Sequence, residues 1–420
     1  MNVAAVQRRT LRLLFVTQVV SGIAVSIGAS VGALLAADIA GIGVSGFAQS
    51  AVVVGAALFA IPGTAIVNRH GRRPSLTAGY LVAAVGALIV VTAAVRGSIL
   101  LLFAGFFLFG GATAAGFQAR YAAVDLAPPA LRGRHLSLIV WATTLGAIVG
   151  PSLAAPAGAS LSRYGIPTLA GPFFFSALLL GLSGLLLMLL LRPDPAAVAR
   201  AAMAHPGTPS PEARRAGIGA ALSVVASRAP ARLGVGAMAI GHMVMIAVMA
   251  MTPVHIRGAG HEPAHTLRLV GVVLSSHVAG MFAFAPVFGW LTDRLGRRPV
   301  VFAGIALLLV ACALAGSAGH HMARLAGGLT VLGLGWSATM VAGSTLLSES
   351  VPAELRASAQ GLSDLVMGLA GATAGAASGI VLEAWGYSTL SALAALATLP
   401  LIVLVSLSRS TTPAADAPRP

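Results

Sequence analysis

The sequence predicts an all-α membrane protein with twelve transmembrane helices, and three observations support this. Of the 420 residues, 57% are hydrophobic and 9% are charged, whereas soluble domains carry about 25% charged residues. Apolar runs long enough to cross a bilayer core of about 30 Å recur along the chain. The arginines lie between these runs and mainly on one side of the membrane. This composition excludes a soluble enzyme.

Each apolar run is predicted to be a helix, because a helix satisfies its own backbone hydrogen bonds within one segment. The predicted spans are 11–36, 46–67, 75–95, 99–124, 135–158, 167–191, 233–256, 266–291, 299–318, 323–347, 358–383 and 387–408. The first run follows a pair of arginines, as in a signal peptide. It is too long for a signal-peptide core, so we expect it to be retained as a span.

Arginine placement predicts the orientation. The chain has no lysine, and its formal net charge is +15. With the N-terminus inside, 20 of the 26 arginines fall in inner segments, 5 fall in outer loops, and Arg120 lies within span four. This asymmetry predicts a bacterial inner-membrane protein with both termini in the cytoplasm. The positive charge is then explained by arginines that face the lipid bilayer, and we expect no nucleic-acid partner.

The longest stretch between spans divides them six and six. Residues 192–232 carry six arginines and several prolines, which predicts a cytoplasmic linker. Within it, 216–228 can form a short helix on the inner leaflet. The predicted domains are therefore an N-terminal six-helix bundle at 1–191, this linker, and a C-terminal six-helix bundle at 233–409. A proline-rich tail, 410–420, is expected to be disordered.

The two halves repeat each other. Residues 68–74 recur as 293–299 at an offset of 225, with the glycine and arginines in register. Asp125 precedes an arginine by seven residues, and so does Glu349, at an offset of 224. Two sequence repeats at nearly the same offset indicate that the halves arose by duplication. Transporter folds commonly have such repeats, with the substrate site near the midplane between them.

The repeated loops carry a family resemblance. Residues 289–298 read Gly-Trp-Leu-Thr-Asp-Arg-Leu-Gly-Arg-Arg, which resembles the loop 8–9 signature of the major facilitator superfamily (MFS). The loop 2–3 counterpart departs from the pattern at Thr64 and Asn68, where glycine and aspartate are usual. The resemblance covers essentially the whole chain and implies the MFS fold, with two pseudo-symmetric bundles and alternating access.

In that family, these loops brace one half against the other in the outward-facing state. The resemblance implies a conformational brace made of Asn68, Gly71, Arg72, Arg73, Asp125, Asp293, Gly296, Arg297, Arg298 and Glu349. The residue types fit this role, because glycine permits a tight reversal and Asp293 can pair with Arg297 four residues on. The alternative is that these charges only anchor the inner face of the protein.

Span five contains a second motif. Gly146, Gly150 and Pro151 are similar to the motif of proton-coupled antiporters in the family, although alanines replace its trailing glycines. Glycines spaced by four also let helices approach closely, and proline bends a helix. Ordinary close packing is therefore an equal alternative. Span four also lacks an arginine between residues 99 and 119, where these antiporters usually carry one.

Ionisable groups inside spans are costly and indicate function. Asp364 and Asp125 are the candidates for proton coupling. Asp364 could titrate during transport or pair with Arg72 across the halves. Arg120 is expected to pair with Asp125 or to extend to the inner surface.

Methionines and histidines cluster in spans seven and eight. His242, Met245 and Met249 share one helical face, and His277 and Met281 are spaced i, i+4. The pattern resembles MFS-type copper importers of cytochrome oxidase assembly, and thioether and imidazole suit Cu(I). A methionine face can equally be packing or a wall for an organic solute.

The sequence therefore predicts a secondary active transporter, with proton-coupled export of a small organic or amphipathic solute favoured. Import of Cu(I) is the alternative, and a non-cycling receptor or lipid-handling protein is an alternative of another class. We expect no enzyme activity, since no catalytic motif joins the buried polar residues. The absence of lysine excludes an ATP-binding P-loop. We expect no cofactor and a monomer.

Overall fold

The computed structural model describes residues 3–128, 131–203, 218–352 and 355–407. The predicted tail and the middle of the predicted linker lie outside these ranges. The first bundle comprises helices α1 (Val3–Ala40), α2 (Ile42–Ser45), α3 (Phe47–His70), α4 (Arg72–Arg96), α5 (Ile99–Phe109), α6 (Gly111–Ala122), α7 (Arg132–Val149), α8 (Ala154–Ser162) and α9 (Gly171–Leu190).

Two short helices, α10 (Pro195–Met203) and α11 (Ile218–Ser227), follow the first bundle. The second of these confirms the short helix expected at 216–228, and the first was not predicted. The second bundle comprises α12 (Ala229–Arg257), α13 (Pro263–Phe282), α14 (Ala285–Leu295), α15 (Arg297–Gly316), α16 (Met322–Ser350), α17 (Arg356–Leu396) and α18 (Leu399–Leu407).

Several spans are built from two helical pieces. Span five is interrupted by a 3-10 turn at Gly150–Leu153. In the described residues, eleven helical stretches are long and apolar enough to cross a membrane. The last of them, Ser358–Ser406, has 49 residues, about 73 Å at 1.5 Å per residue and too long for one crossing. Gly386, at φ 79° and ψ 175°, divides it into the two final spans.

Both bundles are packed around apolar faces. In the first, α1 packs against α7 and α9, and α4 packs against α5 and α9. In the second, α12 packs against α16 and α17, and α15 packs against α16. Phe106, Phe109 and Phe173 meet edge to face in the first core, with centroids 5.7 and 5.8 Å apart. Such contacts add to the apolar burial that holds each bundle together.

Each bundle has one tight reversal between its second and third spans. Gly71 joins α3 to α4 with φ 100°, and Gly296 joins α14 to α15 with φ 90°. Both angles lie in the left-handed region that favours glycine. We call the end of the molecule that carries these two glycines the brace end, and the other end the closed end.

The bundles contact each other towards the closed end. Ser50 on α3 donates to the carbonyl of Ala372 on α17 at 2.6 Å. Ser275 on α13 donates to the carbonyl of Ile148 on α7 at 2.7 Å. These bonds join helices of different bundles and therefore close this end.

A charge pair adds to the closure. Arg257, at the end of α12, pairs with Asp38, near the end of α1. Gly46 lies so near Gly375 that an added Cβ would be 2.0 Å from its carbonyl oxygen. Small residues thus let the backbones of the two bundles meet.

Candidate functional site

Two brace residues of the first bundle, Arg72 and Asp125, form a partly buried ion pair within that bundle. Arg72 donates from Nε and Nη2 to the two oxygens of Asp125 at 2.8 and 3.0 Å, and from Nη1 to Gln118 at 2.7 Å. A two-bond guanidinium–carboxylate pair is among the strongest polar contacts. Two sequence-based expectations are therefore wrong: Asp125 does not pair with Arg120, and Arg72 does not pair with Asp364.

The second bundle repeats the pair. Arg297 donates from Nε to Glu349 at 2.9 Å and from Nη2 at 2.5 Å. The predicted bond between Arg297 and Asp293 is replaced by this contact, and Asp293 acts on the guanidinium only through its charge. Arg72 and Arg297, which occupy equivalent positions in the repeated motif, are thus each bonded inside their own bundle.

Asp194 is a charged residue at the brace end that the sequence analysis missed. Its Oδ2 accepts from the backbone N–H of Arg73 at 2.7 Å, and its Oδ1 accepts from Ala196 and Ala197 at the start of α10 at 2.9 and 3.2 Å. The carboxylate therefore caps α10 and holds the loop beside Gly71. The signal was an aspartate just before a helix-compatible run, Asp-Pro-Ala-Ala.

Two more of the predicted brace residues, Asn68 and Arg298, make contacts that involve backbone carbonyl groups. The carbonyl of Asn68 accepts from Arg200 on α10 at 2.7 Å. Arg298 donates to the carbonyl of Val405 on α18 at 2.6 Å. These bonds satisfy carbonyl groups at helix ends, where cations are favoured.

The span-five motif lies at two helix interfaces. An added Cβ on Gly146 would be 2.3 Å from the carbonyl oxygen of Val19 on α1, and Gly150 also lies against α1. The carbonyl oxygen of Pro151 is 2.8 Å from the Cβ position of Gly271 on α13. The motif therefore packs α7 on α1 and also contacts the second bundle, a geometry that suits either predicted role.

Arg120 and Asp364 lie on different bundles, on α6 and α17. Nε of Arg120 is buried and has no hydrogen-bond partner among the described residues, and the guanidinium lies 5.0 Å from the ring centroid of Phe117. Asp364 is exposed. It acts on Arg120 through its charge, although their charged atoms are beyond the 4.0 Å of an ion pair.

Gln18 on α1 is a second polar residue that the sequence analysis missed. It is 1% exposed, and its Oε1 accepts from Ser21 and Thr143, both at 3.4 Å. Its Nε2 has no partner among the described residues. The Oε1 is 3.9 Å from the Cβ position of Gly116, one helical turn from Arg120 on α6. The signal was a glutamine within a long apolar run.

His277 is held in one tautomer. It is fully buried on α13, and its Nδ1 lies 2.7 Å from the carbonyl oxygen of Leu329. Because a carbonyl can only accept, Nδ1 carries the proton. Nε2 is therefore an acceptor, and it has no partner among the described residues.

The other Met/His candidates pack in the same core. Nδ1 of His242 accepts from Trp336 at 3.2 Å. Met245 is buried, and Met249 and Met281 are partly buried against the same apolar cluster. Among the described residues, no group of three His, Cys, Asp or Glu side chains could hold a metal ion.

The chain was compared with known proteins. A family model described as Major Facilitator Superfamily matches residues 14–267 and 264–420. YdeG and YddS, MFS-type transporters of Bacillus subtilis, are each 35% identical, covering 96% and 95% of this chain and 92% and 90% of their own lengths. The riboflavin transporter RfnT of Brucella anthropi is 28% identical, and the alignment covers 96% of both chains.

Solved structures show the same fold. The nucleoside transporter NupG has a TM-score of 0.69 at 16% identity, covering 97% of this chain and 98% of its own. A bacterial homologue of the human lysosomal transporter Spinster, solved in an inward-facing conformation, has a TM-score of 0.68 at 16% identity and covers 96% of both chains. The predicted fold class is confirmed, and the chain belongs to the major facilitator superfamily.

Proposed function

We propose that the chain is a secondary active transporter that exports a small organic or amphipathic solute in exchange for protons. Its relatives are named as transporters. RfnT, which aligns over nearly the whole chain, is named for riboflavin, and this supports an organic solute over an inorganic ion. The proposal takes 1–191 and 233–409 as the two moving bundles.

The proposed setting is a bacterial inner membrane with both termini in the cytoplasm, which the arginine asymmetry favours. The brace end then faces the cytoplasm. The brace arginines bond within their own bundles, while polar contacts between the bundles lie towards the closed end. This arrangement supports an inward-open state in a cycle of alternating access.

The observation that carries the proposal is the contrast between two carboxylates. Asp125 is engaged by Arg72 through two bonds, which favour a structural role. Asp364 is exposed and, within the described residues, has no ion-pair partner. We therefore assign the exchanged proton to Asp364 and the brace to Asp125.

Everted membrane vesicles test this proposal. The vesicles are energised with lactate, and riboflavin and ethidium serve as probe solutes. We expect at least one probe to be accumulated and to release protons from the lumen. Asp364→Asn should abolish both signals at matched expression. Glu383→Gln, which neutralises another carboxylate on α17, should retain them. Accumulation that survives a protonophore, or that is unchanged in Asp364→Asn, would contradict the proposal.

His277 favours one second candidate, a Cu(I) importer. Its anchored Nδ1 leaves a buried, unpartnered Nε2, as in histidine ligands oriented by a carbonyl. On this candidate function, Met245→Leu and His277→Asn should each abolish copper accumulation and lower oxidase activity in cells. Because leucine nearly matches methionine in volume, folding should be preserved. Unchanged cellular copper in both variants would eliminate this candidate.

A further inference from the structure

The interface between the bundles holds two opposite charges apart. Arg120 belongs to the first bundle and Asp364 to the second, and their charged atoms are separated by more than 4.0 Å. Nε of Arg120 is buried without a hydrogen-bond partner in the described part of the chain. Leaving a buried charged donor unsatisfied is costly. A ligand that accepts a hydrogen bond there would remove this cost.

A second unsatisfied donor lies on the same side. The amide of Gln18 is almost fully buried, and its oxygen is occupied by two hydroxyl groups. Its Nε2 makes no hydrogen bond within 3.5 Å in the described part of the chain, although the amide interacts with the Tyr80 hydroxyl. This amide lies beside Gly116, and Arg120 follows one turn later on α6, so the first bundle presents both donors along the same stretch of α6. The second bundle presents a carboxylate, which is an acceptor.

We infer that Gln18, Arg120 and Asp364 form the recognition site for an uncharged planar heterocycle with a lactam or imide edge. A ring carbonyl would accept from Arg120 and Gln18, and the neighbouring ring N–H would donate to Asp364. This inference rests on the proposed function and names the chemical class of its solute.

The charges select against ions. A simple anion is attracted by Arg120 and repelled by Asp364, and the reverse holds for a simple cation, so the pair gives a single charge no net advantage. An uncharged solute whose ring carries an acceptor beside a donor can accept from Arg120 and donate to Asp364 at the same time. Phe117 lies against the guanidinium, and Tyr121 follows it on the same helix. These rings offer apolar surface to a flat solute.

The same geometry links the solute to the proton. A carboxylate accepts more strongly than a carboxylic acid, so protonation of Asp364 weakens its bond from the ring N–H and opposes solute binding. Exchange requires that binding of the proton and binding of the solute oppose each other. The site thus uses one carboxylate alternately for the proton and for the solute.

Ligand binding to the purified full-length protein in detergent tests the inference, with affinity measured by thermal stabilisation. The uncharged probes are riboflavin and uracil, each compared with its 3-methyl derivative, which lacks the imide N–H. The charged probes are benzoate, an anion, and phenylalanine, a zwitterion. We expect an uncharged imide to bind and its 3-methyl form to bind at least about tenfold more weakly.

The variants locate the site. Gln18→Glu, Arg120→Lys and Asp364→Asn should each weaken imide binding by about tenfold or more. Two matched control variants should leave imide binding unchanged. Gln7→Glu changes another buried glutamine of α1, and Glu383→Gln changes another carboxylate of α17.

Three results would overturn the inference: none of the imides binds, only charged probes bind, or imide binding is unchanged in the three site variants. The assay contains no proton gradient. Failure of proton-driven export would therefore leave these affinities intact, so the two proposals can fail separately.

Discussion

At the residue scale, the carboxylate that contacts loop 2–3 belongs to a residue outside the loop, Asp194. The family pattern places aspartate where this chain has Asn68, and Asp194 supplies the missing charge from the start of α10. Asp194→Ala removes a helix cap and the bond to Arg73, so it should lower the free energy of unfolding by about 1–2 kcal/mol. Asn68→Ala should change it by less than about 0.5 kcal/mol. Chemical unfolding in detergent measures both, and equal losses would show that Asp194 has no special role.

The two brace pairs differ in burial, and their energies should differ accordingly. The side chains of Arg72 and Asp125 are 13% and 15% exposed, whereas those of Arg297 and Glu349 are 30% and 50% exposed. Asp125→Asn should therefore cost about 1–3 kcal/mol of stability, and Glu349→Gln less than about 1 kcal/mol because water screens that pair. The same unfolding assay compares the variants. A larger loss in Glu349→Gln would contradict this ranking.

At the element scale, close contact between α1 and α7 depends on glycine. A Cβ on Gly146 would meet the backbone of α1 at 2.3 Å, whereas one on Gly181 in α9 meets nothing within 4 Å. Gly146→Ala should force the helices apart and cost about 1–3 kcal/mol. Gly181→Ala is the matched control and should be neutral or slightly stabilising. If the two variants unfold alike, the proposed close packing is wrong.

Hydropathy predicted the elements well, but it missed the breaks within them. The spans follow from long apolar runs, which set where helices can lie in a bilayer. The division at Gly386 falls in the predicted gap between spans 358–383 and 387–408. The 3-10 turn at Gly150–Leu153 depends on local backbone conformation, which hydropathy does not register. Helix α10 escaped notice because its run is short and lies among linker prolines.

At the scale of the whole molecule, the repeat predicted which charges recur in both halves but not which of them form pairs. Two sequence repeats at nearly the same offset place the same charges in both halves. In the structure, both halves form an equivalent arginine–carboxylate pair. The sequence could not show that Arg72 contacts Asp125, or that Arg120 and Asp364 act on each other. Those relations depend on how the helices are rotated and which end is closed. Gln18 was missed because its significance comes from an unsatisfied amide, visible only in three dimensions.

Alternating access is the central claim, and locking the closed end tests it most directly. Ser152 on the first bundle and Ser275 on the second have hydroxyl oxygens 3.1 Å apart, close enough for a disulfide between cysteines at these positions. The variant Ser152→Cys with Ser275→Cys would be made with Cys312→Ala, since Cys312 is the chain's single cysteine.

The deciding measurement is probe accumulation in everted vesicles before and after oxidation of this double-cysteine variant. Riboflavin and ethidium are the probes, and each single-cysteine variant is a control. We predict that oxidation reduces accumulation to background in the double variant alone, and that dithiothreitol restores it. Accumulation at the unlocked rate, with the disulfide fully formed, would contradict alternating access.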